Sequence, residues 1–364
     1  MERREAVIGI GTALPPHAVT REDLEALLAP ALGGGPEAER RVRALVRRSR
    51  VEVRHSCLPD FAAGASSSLR RRDGPGTAAR MDLYRAHAPS LAIRACERAL
   101  RASGADPREV THLVVVSSTG HASPGLDAVL IDPLGLPRDV KRTVVGFMGC
   151  EGVFAALRIA RSACAERPDA RVLIACVELC SIHLRVDAEP SSLFAATLFG
   201  DGASAMVIAK ADVVPEALLY LGADDRRSAE PSLDRAGWEI GDDGIRFSLP
   251  ASPPKLPQAE LRAFLAALGS TPDGAQLEAL CVQPAESWLL DAVTDALGLT
   301  ATTTASSREV MRRVGSVVSA TLGFVLEREI ERTEPGATGS ILGHRPGAAM
   351  EGWLFERGSA RPVG

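Results

Sequence analysis

The chain has 364 residues, 46% of them hydrophobic and 24% charged, which is room for two domains or one domain of two halves and excludes a disordered chain. Its 42 basic and 46 acidic residues leave a net charge of −4, which argues against nucleic-acid binding by phosphate neutralisation. No apolar run approaches the roughly 20 residues that span a bilayer, and the charged stretch from Met1 to Glu5 enters Ala-Val-Ile-Gly-Ile without a signal core, so a cytoplasmic protein with no membrane or nucleic-acid partner is expected.

In chain order, strands alternate with helices. Ala6-Val-Ile-Gly-Ile reads as a strand stopped by Pro15 and Pro16. Residues 21–31 and 37–50 read as helices, the second carrying Arg40, Arg41, Arg43, Arg47, Arg48 and Arg50. Residues 60–78, rich in Gly, Ser, Ala and Arg, read as a loop. A periodic helix over 81–104 ends at Gly104, and His112 to Ser118 reads as a buried strand. Residues 151–166 form a helix, followed by buried strands at Arg171 to Cys176 and Ala203 to Ala209. Residues 210–260 are mixed, with short strands around Leu218 and Ile245. The seven cysteines are odd in number and scattered, which disfavours a disulfide framework. Cys176 and Cys180 lack a matching pair for zinc, so no metal is expected.

An internal repeat organises these elements. Leu126-Asp-Ala-Val and Leu134-Gly-Leu recur as Leu290-Asp-Ala-Val and Leu297-Gly-Leu. Gly149-Cys150 and Gly315-Ser316 each open a helix, and flanking prolines and apolar strands repeat in the same order at an offset near 165 residues. The pattern predicts an α/β fold of duplicated βαβαβ halves, residues 1–215 and 216–364, with Cys150 and Ser316 at equivalent helix starts facing one cleft.

Cys150 lies in Val144-Val-Gly-Phe-Met-Gly-Cys-Glu-Gly. Glycines on either side permit a tight strand-to-helix turn, and a helix N-terminus stabilises a thiolate. That combination suits a nucleophile, although the spacing equally fits a cysteine buried in a helix, and Glu151 opposes ionisation if it points inward. Gly9-Ile-Gly lacks a third glycine, so a dinucleotide site is rejected. Asp201 reads as a turn residue.

Several stretches resemble bacterial type III polyketide synthases of the chalcone-synthase kind: Gly9-Ile-Gly-Thr-Ala-Leu-Pro-Pro, Ser118-Thr-Gly-His-Ala-Ser-Pro-Gly-Leu-Asp, Val145-Gly-Phe-Met-Gly-Cys, Val177-Glu-Leu-Cys-Ser and Leu198-Phe-Gly-Asp-Gly-Ala. The resemblance implies a thiolase-like fold of five αβαβα layers, a homodimer, and acyl-coenzyme A or acyl-carrier-protein thioesters as substrates, with no permanently bound cofactor. It implies that Cys150 accepts the acyl group, that Arg48 and Arg43 grip coenzyme A phosphates, and that Thr119, His121, Ser123, His183 and Phe199 border the pocket. It also puts Leu184 at the place of a gatekeeper phenylalanine.

The departures from that family matter as much. Cys281-Val-Gln-Pro puts Gln283 where the family has its catalytic histidine, and Gly315-Ser-Val-Val-Ser puts Ser316 where it has asparagine. A neutral amide takes no proton from a thiol, yet both residues could donate one hydrogen bond to an oxyanion. Losing one oxyanion donor costs roughly 10²–10³ in rate and losing an acid–base residue roughly 10²–10⁴. The expected activity is therefore acyl transfer from Cys150 to an acceptor in polyketide biosynthesis, without normal decarboxylative extension. A chain-extending synthase in which His344 substitutes for the lost base, and a non-catalytic partner of an active homologue, are the other readings.

Overall fold

The computed structural model describes residues 2, 4–59, 74–228, 237–248, 258–269, 277–283, 287–345 and 349–360. Most of the expected loop at 60–78 lies outside the described residues.

The first half comprises β1 (Glu5–Ala13), β2 (His17–Thr20), α1 (Arg21–Leu28), α2 (Gly35–Ser49), β3 (Val53–Ser56), α3 (Thr77–Ser103), β4 (His112–Ser117), α4 (Leu126–Val129), α5 (Ile131–Leu134), β5 (Lys141–Gly146), α6 (Gly152–Glu166), β6 (Arg171–Leu179), α7 (Pro190–Leu198) and β7 (Asp201–Lys210). The second comprises β8 (Leu219–Ser228), β9 (Gly237–Gly241), β10 (Gly244–Ser248), α8 (Gln258–Leu268), β11 (Ala279–Gln283), α9 (Ser287–Leu297), α10 (Ala305–Arg313), α11 (Thr321–Arg332), β12 (Thr338–Arg345) and β13 (Ala349–Arg357). Local chemistry sets several ends. Thr20 and Asp23 form a reciprocal capping box on α1. Gly104, in the left-handed region, closes α3.

Nine strands form one sheet in the order β11-β12-β13-β8-β1-β7-β6-β4-β5. In the first half β4 runs parallel to β5 and β6, while β7 runs antiparallel to β6 and β1. In the second, β11 runs parallel to β12, while β13 runs antiparallel to β12 and β8. Order and direction repeat, except that β5 has no counterpart among the described residues. The halves meet where Glu5, Ala6 and Val7 of β1 pair with Leu221, Tyr220 and Leu219 of β8.

Strand alternation divides the packing on the nine-stranded sheet into three cores. Leu113, Val115, Leu173 and Ala175 face α3, α4 and α5. Val114, Val116, Val172 and Ile174 face the opposite way, onto α6 and α11, and share that core with Cys281, Ile341, Trp353 and Phe355 of the second half. Leu280, Val282 and Leu342 face α8 and α9. Helices, half-sheet, the α6 and α11 pair, half-sheet, helices: this is the α/β thiolase-like arrangement of five layers. Gly9 and Gly11 permit it at β1, because a Cβ on either would lie 2.1 Å from Ala99 O or 2.5 Å from Ala95 O of α3. The glycine pair is a packing notch.

Candidate active site

Between β5 and α6 the chain makes a strained turn. Phe147 and Gly149 both sit at φ 57°, and one 3₁₀ turn, Gly149–Glu151, leads into α6. Gly149 N–H donates to Ser118 Oγ at 2.9 Å. Gly152 lets the helix start press on β4, since a Cβ there would lie 2.6 Å from Val116. Cys150 is carried on this turn and is partly exposed, whereas the other six cysteines are buried. Burial pushes all six of those thiols up, Cys164 to about 11 and Cys96 to about 12. At Cys180 burial leads, and the neighbouring Asp201, Glu178 and Cys150 side chains add to it. Cys150 is thus the accessible thiol, at a helix N-terminus whose partial positive charge favours a thiolate.

The second half repeats the device. Val318 sits at φ 46°, and the 3₁₀ turn Val318–Ala320 leads into α11. Each turn occupies the three residues before its helix, so Cys150 corresponds to Ser319. The expected equivalence with Ser316 is corrected by three residues, because Ser316 still belongs to the strand-like entry, bridged to Phe199 and bonded through its N–H to Leu198 O.

Two polar side chains tie the turns together. Glu178, fully buried on β6, accepts from Ser118 N, Thr119 Oγ1 and Ser319 Oγ at 3.0, 2.8 and 2.5 Å. Burial pushes its carboxyl up to about 7, and these donors pull against that. Gln283, at the end of β11, donates through Nε2 to Cys150 O at 3.0 Å and to Val318 O at 2.8 Å. Two carbonyls only accept, so the amide nitrogen must face them. Both its hydrogens are therefore engaged, and the expected role of Gln283 as an oxyanion donor does not fit this geometry. Gln283 Oε1 and Ser316 Oγ are buried with no hydrogen-bond partner. Such atoms each cost about 1–3 kcal/mol and call for an explanation.

Beside the Cys150 turn lies a cavity of about 490 Å³, lined by Arg54, Cys180, His183, Leu184, Phe199, Trp238 and Phe247, among others. Phe199, Trp238 and Phe247 make mutual ring contacts with centroids 5.2–5.6 Å apart, and Trp238 Nε1 lies 3.9 Å from a Cβ placed on Gly149. Phe199, Trp238 and Phe247 therefore form an aromatic part of the wall, and Leu184 an aliphatic part. Two of these rings come from β9 and β10: Trp238 opens Trp238-Glu-Ile-Gly-Asp-Asp-Gly, a stretch that also resembles the family, while no motif in the sequence singles out Phe247. His183 pins that hairpin: its Nε2 donates to Thr119 O at 2.6 Å and its Nδ1 accepts from Ile245 N–H at 3.1 Å. Burial then drops its pKa to about 4.

The remaining residues divide. Thr119 is buried and engaged with Glu178, while His121 and Ser123 are exposed on the loop that leaves β4 and are not among the residues lining this cavity. Arg43 and Arg48 lie on the exposed face of α2, Arg43 3.4 Å from Glu25. The backbone of His344 follows Gly343, the register partner of Gln283, and its side chain lies outside the described residues. Asp201 is not a turn residue. It opens β7, fully buried, and accepts from Ser181 N and Cys57 N. Glu178 escaped the sequence reading, although a carboxylate inside Ile-Ala-Cys-Val-Glu-Leu was a signal. Among the described residues no group of three or more His, Cys, Asp or Glu side chains is arranged to hold a metal ion, and no helix is long and apolar enough to cross a membrane.

Comparison with known proteins places the chain in a family. Residues 2–212 match the family model for the N-terminal domain of chalcone and stilbene synthases. The chain is 34% identical over 364 residues to 1,3,6,8-tetrahydroxynaphthalene synthase of Streptomyces peucetius subsp. caesius, covering 96% of this chain and 93% of that one. It is 27% identical to probable polyketide synthase 1 of Dictyostelium discoideum, where 96% of this chain spans only 11% of that protein. The crystal structure of PKS-I from the brown alga Ectocarpus siliculosus superposes with a TM-score of 0.89 at 27% identity, covering 98% of this chain and 99% of that chain.

Proposed function

The chain belongs to the chalcone and stilbene synthase family, the type III polyketide synthases, and from that premise we propose that it is an acyltransferase that loads an acyl group on Cys150 and passes it to an acceptor without decarboxylative extension. The observation that carries this reading is the pairing of an accessible Cys150 with a Gln283 whose amide hydrogens are both held by backbone carbonyls. An acyl thioester can form on such a sulfur. At position 283 an enolate meets neither an imidazole nor a free amide donor.

The donor is a coenzyme A or carrier-protein thioester, with the α2 arginines Arg48 and Arg43 as its phosphate contacts. A homodimer fits the edge strand β5, whose Val144 is 57% exposed and leads to Phe147 at 58%. Intact-protein mass spectrometry with acyl-coenzyme A thioesters tests the central claim: a mass increase is expected, and Cys150→Ala should lose it. No increase with any donor would favour a non-catalytic partner. A second reading, chain extension with His344 as base, draws on its place one residue past the partner of Gln283. Carbon dioxide release from malonyl-coenzyme A would decide for it.

A further inference from the structure

Two of the buried atoms without a hydrogen-bond partner, Gln283 Oε1 and Ser316 Oγ, can each accept a hydrogen bond. Gln283 is 2% exposed and Ser316 0%. The Gln283 amide is fixed by Cys150 O and Val318 O, so its Oε1 is held as a rigid acceptor within one planar group of the Cys150 turn. Ser316 stands two residues before Val318, bridged to the cavity residue Phe199. An acceptor-only atom attracts an N–H or O–H and repels an enolate or carboxylate oxygen. Neither an amide nor a hydroxyl removes a proton at neutral pH, so the incoming group must be nucleophilic as it stands. An alcohol is not, and a neutral amine is.

Resting on the acyl-transfer reading, we propose that the acyl acceptor is a neutral amine, whose N–H is received by Gln283 Oε1 while its lone pair attacks the Cys150 thioester, with Ser316 Oγ as the second polar contact. The C–N bond forms, the C–S bond breaks, and the sulfur leaves with the electron pair. The proton released from the ammonium returns the thiolate to a thiol, so an amide and free Cys150 result with no other reactant.

The test uses the full chain. Cys150 is acylated from an acyl-coenzyme A, excess donor is removed, and the adduct is chased with benzylamine, benzyl alcohol or a 1,3-diketone of similar size. Intact mass follows its loss, and each rate is divided by that for the same acyl group on free N-acetylcysteamine. The amine should be accelerated at least about tenfold beyond the other two, the scale of one hydrogen bond, and Ser316→Ala and Gln283→Met should reduce that advantage. Gln283→His with Ser316→Asn, which supplies donors, should shift the preference towards the diketone. Equal or greater acceleration of the diketone in the unmodified chain overturns the amine assignment while acyl transfer stands. Absence of any adduct on Cys150 removes the acyl-transfer reading and the assignment with it.

Discussion

The Cys150 and Ser319 turns share a backbone and differ in what they do with it. Each follows a residue or two held at positive φ, occupies one 3₁₀ turn and opens a helix of the central layer. In the first, glycine takes the left-handed position and the next side chain is a partly exposed thiol. In the second, valine takes it, and the next side chain is a hydroxyl locked to Glu178, fully buried. The duplicated fold thus makes the same strained device twice. Exposure, not backbone geometry, singles out the first as a place for chemistry.

Removing the thiol breaks the comparison most severely. Cys150→Ala should abolish acylation in intact-mass assays, whereas Ser319→Ala should leave an adduct detectable. Next comes the brace common to both turns. Gln283→Leu removes one donor from each of two carbonyls, of which Val318 O keeps the Thr321 N–H, and should cost about 1–3 kcal/mol at roughly 0.5–1.5 per hydrogen bond, read by denaturant unfolding. The lock of the second turn is pH-sensitive. Because the Glu178 pKa is raised to about 7 in the fold, its contribution is complete below about 4.5 and is lost as pH rises towards 7. Glu178→Gln should flatten that slope, by about 3 kcal/mol between the limits, in unfolding curves taken across pH. His183 works in the opposite sense. Its pKa is depressed to about 4, so its contribution is complete above about 6.5 and falls as pH drops towards 4. A smaller effect belongs to the backbone. Gly149→Ala should cost about 1–2 kcal/mol, the strain that Val318 already bears, and slow acylation. The smallest lies far from either turn. Arg48→Ala should raise the KM for a coenzyme A thioester a few-fold with an unchanged unfolding midpoint, as for a single exposed phosphate contact.

What could be read from the sequence follows from where the physics is local. The α/β class was legible because apolar strands such as Leu113-Val-Val-Val and the Leu-Asp-Ala-Val repeat announce themselves by short-range pattern. Ser319 was not legible as the partner of Cys150, because the shift from Ser316 depends on where a 3₁₀ turn begins, and residue type does not encode that boundary. Gln283 could be recognised as a departure, but which way its amide faces is decided by two carbonyls 133 and 35 residues away in sequence. Trp238 and Phe247 join Phe199 only through a hairpin pinned by a histidine from the other half.

The order in which strands are made also matters. β13 lies between β8 and β12, so hydrogen bonding across the second half of the sheet cannot close until the ribosome has released it. Until then Trp353 and Phe355 are missing from the central core, and the inner faces of α6 and α11 have no complete cover. A nascent chain arrested after β12 should be bound by chaperones and cut readily by proteases, since neither half can seal its own interior during synthesis.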